Sequence, residues 1–488
     1  MTTPSPDEIL AELRQRQAGD LPVVGGTTLA YVYDSGLTEV DRASRTAVAD
    51  YAGSNGLDPT AFPSLLAMEN EVVGFAADLV QAPEEAVGSV TSGGTESVLL
   101  AVQTARDARP EISRPRMVLP ATAHPAFHKA AHYFGVEPDF VAVGADFRAD
   151  PAAVAAAIGP DTVLVVASAP SYAHGVVDPV AEMAAAAADR GVRCHVDACI
   201  GGWVLPFAAE SGRSLSPWDF RVPGVTSISV DLHKYGYTPK GVSVLLHRSS
   251  ALRQPQFFAS ARWPGYTMLN STLQSTKSGG PLAGAWTAIR LIGRDGYRRL
   301  ASEVFSATDQ IVAGLATIDQ LSVVAHPDAT LVAIATGDTC DPFTITDELA
   351  NHGWFVQPQM SFSGPGLDTG PTIHLSVSAA TLPRVGDFLT AVRAAVAAAV
   401  ERGPVAVDPG VLAVVGQLDP GSMDPETFGQ LLAGTGLVSV DDAGGLRLPE
   451  QMAPINALLD AVPSAVRETL MTAFLDQLSR PVRGAGRL

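Results

Sequence analysis

An α/β fold, in which a large domain carries a mostly parallel sheet covered by helices and a smaller C-terminal α+β domain follows it, is predicted by three features of this sequence. Its 488 residues exceed what one compact core organises, so two or three domains are expected. From about residue 60 to 250, short continuous apolar runs alternate with helical patterns, and such strands belong to parallel sheets buried between helices. From about 300 to 402 the order becomes strand, strand, helix, strand, helix, which suits a small α+β unit.

Residues 1–60 read as an N-terminal arm with helices. In the large domain, taken as 61–299, "PSLLAMENEVVGFAADLV", "GTESVLLAVQTARDA" and "DPVAEMAAAAADRG" space apolar residues by three and four, which predicts helices. The β-rich runs between and after them are "RMVLP", "DFVAV", "TVLVVAS", "RCHVD", "VTSISV" and "VSVLL". A long helical stretch from Pro281 leads into the small domain, 300–402, with strands in "LSVVAHPDATLVAIAT", a helix near "TITDELANHG", the strand "TIHLSV" and the helix "LPRVGDFLTAVRAAVAAAV". Residues 403–488 form an extension with amphipathic "PINALLDAV" and "AVRETLMTAFLDQL", to which the sequence attaches no role.

Apolar residues make up 47% and charged residues 17%, ample material for a core. A net charge of −19 and a pI near 4.8 argue against a nucleic-acid or anionic-membrane partner. The first 20 residues are polar, and no run approaches the roughly 18 apolar residues needed to span a bilayer, so a cytoplasmic location is expected. Cys194, Cys199 and Cys340 form neither an even framework nor a CxxC pair, which indicates no disulfide and no structural zinc; the first two read as small core residues.

Lysine usage singles out one turn. Only Lys129, Lys234, Lys240 and Lys277 occur, yet two of them stand six positions apart in "SVDLHKYGYTPKG". A lysine just past a strand end is usually solvated surface, but this chain leaves surface charge to arginine. An amine desolvated in a cleft would lose its proton more easily and attack carbonyls. In "VTSGGTESVLL" a strand end, a Gly-Gly turn and a helical start at Thr95 offer free N–H groups to an anion, although such a turn is more often only a capped helix. The strand "RCHVD" ends in Asp197, which could cap a helix or hold a protonated ring nitrogen. His124, His128 and His132 in "ATAHPAFHKAAHYFG" share one face if the segment is helical; a metal site there lacks the glutamate of HExxH and a cysteine ligand, and Pro125 places His124 at the helix start, facing the cleft. A phosphate cradle, an imidazole, an acid for a ring nitrogen and an amine after a strand together match pyridoxal 5'-phosphate (PLP), and no metal.

The motifs "TSGGTES", "HVDACIGGWVLPF" and "SISVDLHKYGYTPKG" resemble the sphingosine-1-phosphate lyase branch of the group II PLP-dependent decarboxylases, over about Tyr31 to residue 400. The resemblance implies the type I PLP-dependent transferase fold and a homodimer with active sites at the subunit interface. It implies that Lys234 carries the cofactor, Asp197 meets its pyridine nitrogen, His124 stacks on its ring, and Gly94, Thr95 and His233 hold its phosphate, with Ser168 also in the cofactor set. A Gly-Ser-Arg-x-Gly loop that reaches across the dimer in the family reads "STKSG" here, which makes Thr276 and Gly279 cofactor contacts while glycine has become Ser275 and arginine Lys277. Lys240 matches a position near the substrate's phosphate. Where the family reads Asn-Pro-Leu-His-Pro this chain has "NGLDP", which keeps Asn55 and puts Asp58 in place of the phosphate-side histidine. An Asp58 facing the substrate would repel a phosphate about 4 Å away by roughly 4 kcal/mol at an effective dielectric near 20, which weighs against sphingosine-1-phosphate itself.

The expected reaction is retro-aldol cleavage of a small 2-amino-3-hydroxy substrate, with or without a phosphate, to an aldehyde and an amine, with Tyr172 and Tyr33 as candidates for proton transfer or as plain aromatic packing. Decarboxylation of an amino acid needs the same cofactor residues and is the alternative, although the decarboxylases of the group more often show HVDAA and a P-H-K-W/M turn.

Overall fold

The computed structural model describes residues 4–416, 439–440, 446–447, 449–479 and 481. Helices α1 (Pro6–Gln17), α2 (Thr38–Asp50) and α3 (Pro63–Leu79) precede the main sheet. There follow β1 (Val87–Thr91), α4 (Gly94–Asp107), β2 (Arg116–Pro120), α5 (Ala126–Phe134), β3 (Glu137–Val141), α6 (Pro151–Ala157), β4 (Thr162–Ser168), α7 (Val180–Ala188), β5 (Arg193–Asp197), β6 (Ser227–Asp231) and β7 (Ser243–His247). They form a seven-stranded sheet in the order β1-β7-β6-β5-β4-β2-β3, in which β7 alone runs antiparallel to its neighbours. Every residue of β4, β6 and β7 is buried, which is why these strands read as unbroken apolar runs rather than alternating ones. Strand β1 is less legible because Gly88 interrupts it. A Cβ there would lie 2.8 Å from Leu246 and 2.9 Å from both the Leu245 carbonyl and Val73, so the packing of β1 against β7 and α3 demands glycine.

A one-turn helix α8 (Ser250–Arg253) and a hairpin, β8 (Phe258–Ser260) with β9 (Met268–Asn270), lead to α9 (Gly279–Leu315). This helix bends at Gly293, whose φ of 62° is left-handed, and it carries the chain straight through residue 300. The small domain then contains β10 (Leu321–Val323), β11 (Leu331–Thr336), α10 (Pro342–Asn351), β12 (Gln357–Gln359), a hairpin of β13 (Phe362–Gly364) with β14 (Leu367–Thr369), β15 (Thr372–Ser376) and α11 (Val385–Arg402). Its antiparallel sheet runs β10-β11-β15-β12. The N-terminal arm joins that sheet: Leu29 N–H donates to the Phe355 carbonyl at 2.7 Å and Ser376 N–H to the Leu29 carbonyl at 2.7 Å. The strand-loop pattern of 357–369 has too few residues per strand to give a sequence signal.

The extension adds α12 (Pro409–Gly416), α13 (Ala453–Ala461) and α14 (Ser464–Leu478). Val415, Ile455, Leu458, Val462, Val466 and Leu470 form a small core of its own. It docks on α10, where Ala453 N–H donates to Asp347 at 2.8 Å. Among the described residues no helix is long and apolar enough to cross a membrane.

Candidate active site

Strands β1, β4, β5 and β6 run in one direction and end along one edge of the sheet, the edge where ligands bind in open α/β folds. A cavity of about 350 Å³ lies there, lined by the turn after β1, the ends of β4, β5 and β6, and the loops that follow. Among its walls are Gly94, Thr95, His124, Ser168, Tyr172, Asp197, His233 and Lys234. Residues from five separate stretches of sequence thus meet in one place because parallel strands deliver their carboxyl ends together.

The chain turns at Ser92 and Gly93 and enters α4 at Gly94, which leaves the first N–H groups of the helix without intrahelical partners. Gly94 is required by space: a Cβ would stand 2.7 and 2.8 Å from the Asp231 carboxylate oxygens and 2.9 Å from Cys199 Sγ. His124 lies just before α5, not on it, and its Nδ1 accepts from Ala126 N–H at 3.1 Å. The three histidines therefore do not make a single helical stripe; only His128 and His132 are helical. Among the described residues no group of three or more His, Cys, Asp or Glu side chains is placed to hold a metal. Burial pushes His124 below its ordinary pKa despite the opposing charge of Asp197, so it is an uncharged ring.

Lys234 corrects one expectation. Burial works against its charge, but Asp231, with Oδ2 at 3.0 Å from Nζ, more than offsets that, and the amine sits above its ordinary pKa instead of below it. Burial likewise opposes the Asp231 carboxylate, and Lys234 with His233 outweighs it, so this acid is held below the usual range. Asp231 stands three residues before the lysine in "SVDLHK", at the end of β6, and no role is predicted for it from the sequence. Cys199, read as core, is indeed buried but also lines the cavity, its thiol donating to Ser229 Oγ at 3.3 Å.

Asp197 accepts from Cys199 N–H at 3.1 Å. His233 Nδ1 accepts from Val242 N–H at 3.3 Å, and burial lowers its pKa. Tyr172 donates to Gln357 Oε1 at 2.9 Å, stacks on His374 at 4.3 Å and meets His124 edge-on at 6.1 Å; burial pushes its hydroxyl up to about 12. Tyr33 stands edge-on to Tyr235 at 4.9 Å, and burial raises its pKa although Lys234 acts against the rise. Lys240 lies outside the cavity walls, with Nζ donating to the Tyr31 and His233 carbonyls at 2.9 and 3.3 Å and lying 5.1 Å over the Tyr33 ring; burial lowers its pKa to about 8.

The remaining predicted residues gather elsewhere. Asn55 bridges to Ser278, Gly56 N–H donates to the Lys277 carbonyl at 2.8 Å and Gly279 N–H to the Ser54 carbonyl at 2.9 Å, so the segments carrying Asn55 and Asp58 and carrying Thr276 and Gly279 form one unit. None of the four lines the cavity of its own chain. Asp58 is exposed and accepts from the Thr60 hydroxyl and N–H at 2.7 and 2.8 Å, which hold it below the usual carboxylate range. Lys277 pairs with Glu69 at 2.8 Å.

The cavity suits PLP chemically. It joins an amine, three carboxylates, two imidazoles and a helix N-terminus, and among the described residues two of its buried polar atoms, Ser168 Oγ and Asp231 Oδ1, lack a hydrogen-bond partner.

Residues 45–336 match the family model described as pyridoxal-dependent decarboxylase conserved domain. Residues 409–477, for which the sequence offered no match, correspond to a C-terminal domain model of pyridoxal-dependent enzymes designated HTH. The sphingosine-1-phosphate lyase of Arabidopsis thaliana is 36% identical over 399 residues, covering 80% of this chain and 72% of that protein. That of Dictyostelium discoideum is 37% identical over 329 residues, 67% of this chain and 60% of the relative's length. The solved structure of the Burkholderia pseudomallei sphingosine-1-phosphate lyase aligns with a TM-score of 0.76 at 31% identity, covering 82% of this chain and 92% of that one.

Proposed function

Because the chain belongs to the pyridoxal-dependent decarboxylase family, we propose that it is a PLP-dependent carbon–carbon lyase that cleaves a 2-amino-3-hydroxy compound, with or without a phosphate, to an aldehyde and an amine. The observation that carries this is the convergence of Lys234, Asp197, His124 and Tyr172 on one cavity in a chain 36% identical to a sphingosine-1-phosphate lyase. PLP bound there supplies an electron sink for the substrate bond held perpendicular to its ring.

Around it the chain's own groups divide the work. Lys234 would hold the cofactor through its amine, beside the Asp231 carboxylate that favours the ammonium form of that amine. Asp197 keeps a proton on the ring nitrogen through a charge-assisted hydrogen bond. His124 offers an uncharged face to the ring, while the N–H groups at the start of α4, with Thr95 and His233, hold the phosphate and Ser168 completes the cofactor's contacts. Tyr172 and Tyr33 stay protonated at ordinary pH, so they would serve as hydrogen-bond and proton donors to the substrate rather than as the base that takes its β-hydroxyl proton.

The active unit is read as a cytoplasmic homodimer with shared sites, in which Asn55, Asp58, Thr276 and Gly279 of one subunit face the cavity of the other and Lys240 lies near the anionic end of the substrate. The grouping of those four residues as one unit outside their own cavity supports this. Mixing Lys234→Ala with Thr276→Ala subunits tests it, since shared sites restore part of the activity and separate sites restore none.

Loss of carbon dioxide would use the same residues, and the family model is that of decarboxylases. An assay of the purified holoenzyme against 2-amino-3-hydroxy compounds and ordinary amino acids, measuring aldehyde and carbon dioxide, decides. Carbon dioxide without aldehyde would reject the lyase reading.

A further inference from the structure

His124 and Tyr172 line a second cavity, of about 220 Å³, and share no other wall residue with the first. One side is the large domain's loops after β2 and β4, with Thr122 and His174; the other is the small domain, with Gln359, Met360, Phe362 and Leu367. Among the described residues no Lys, Arg, Asp or Glu lines it. Burial lowers the pKa of His174 to about 4, so that ring is neutral too. An ionised group entering here would lose its hydration without gaining a counter-charge, whereas an uncharged group with a hydroxyl or carbonyl would not.

The far wall is the β13–β14 hairpin, whose three-residue strands, among the described residues, pair only with each other. Its tip at Gly366 presses on Ala142 and Val143. Its foot is held from the C-terminal extension: Ser361 donates to Asp460 on α13 through both its N–H, at 2.5 Å, and its hydroxyl, at 2.8 Å. Met360 packs beside Ala453 and Ala457 of the same helix, and Arg467 on α14 donates to the Asp460 carbonyl at 3.1 Å. On the opposite side Glu468 lies close enough to favour the charged form of His128, one turn along α5 from Pro125. The extension therefore holds one side of this cleft and brings the charge of Glu468 near the other.

We propose that the second cavity is a subsite for the uncharged part of the substrate next to the reacting bond, the part that leaves as aldehyde, and that the C-terminal extension sets the position of its wall through Asp460. The first half of this rests on the lyase reading above. Asp460 is a positioning residue, since it acts through Ser361 and the hairpin.

The test uses full-length holoenzyme and two 2-amino-3-hydroxy substrates, one releasing a two-carbon aldehyde and one a longer uncharged aldehyde. Leu367→Trp, which fills the cavity, is expected to lower kcat/KM for the longer substrate about 10-fold or more, through KM, and to leave the short one within about 2-fold. Asp460→Ala should change the ratio of the two kcat/KM values by about 5-fold, with Asp460→Asn partly restoring it by accepting one of the two bonds. Equal effects on both substrates, or none, would overturn the proposal. If Asp460→Ala loses its bound cofactor or its cooperative unfolding, Ser361→Ala, which removes only the hydroxyl bond, takes its place. If the wild type releases no aldehyde from either compound, the lyase reading fails by itself. The subsite is then judged by the change in cofactor absorption on adding each compound, which should weaken in Leu367→Trp for the longer one alone.

Discussion

Lys234 Nζ stands 3.0 Å from Asp231 Oδ2, and the acid is almost fully buried while the lysine is partly open to the cavity. The pair makes the amine a stable ammonium until something separates the two charges. Asp231→Asn removes the counter-charge and leaves burial to act, so the lysine should ionise at lower pH. Capture of added PLP by the apo-protein, followed by its visible band as a function of pH, should show its midpoint moving down by about one unit or more. An unmoved midpoint would count against the pairing as the control of Lys234.

Lys234→Ala should abolish the borohydride-sensitive visible band altogether. Asp197→Asn keeps the shape of its neighbour and should keep the band, yet slow turnover by about 100-fold or more, since a preorganised charge is lost where the reaction needs it. Near-normal turnover in Asp197→Asn would remove Asp197 from its assigned place.

Gly94→Ala puts a Cβ within 2.7 Å of the Asp231 carboxylate and 2.9 Å of Cys199 Sγ. Overpacking of this kind costs about 1–3 kcal/mol, and here the strained atoms line the cofactor cavity. The expected result is PLP affinity weaker by about 10- to 100-fold, read by fluorescence titration, with the same cofactor stoichiometry at saturation. Unchanged affinity would mean that the start of α4 does not contact the cofactor.

Lys240 carries a pKa of about 8 because burial disfavours its charge, and it ties the Tyr31 carbonyl to the active-site turn. Below that pH the ammonium donates to both carbonyls; as pH rises through it the charge and the charge-assisted bonds fade. For an anionic substrate kcat/KM should therefore fall above pH about 8, and Lys240→Met should start lower and lose that limb. A limb that persists in Lys240→Met would assign it to another group.

Much of this site was legible in the sequence because each residue sits at the end of an element that announces itself. "RCHVD" and "SISVDLHK" are apolar runs ending in a polar residue, and burial of β5 and β6 within the sheet is the cause of both the run and its end. The same reasoning misjudged Lys234, since desolvation predicts a neutral amine only when no acid stands nearby, and the distance to Asp231 depends on the turn after β6. It also read Cys199 only as core, for a buried thiol looks the same in sequence whether its neighbour is a leucine or an empty space. The C-terminal extension announced helices, but nothing local in "PINALLDAV" says that Asp460 reaches Ser361, 99 residues away.

The sequence by itself determined the alternation of strand and helix, the identity of the residues at the strand ends and the chemistry they suit, because periodicity and residue type are local properties. Only the tertiary structure decided which of those ends meet, that Asp231 charges Lys234, that Asn55, Asp58, Thr276 and Gly279 gather outside their own cavity, and that a second cavity opens beyond His124 and Tyr172. The reason is geometric: sheet order and domain docking bring together residues far apart in the chain, and no periodicity records that.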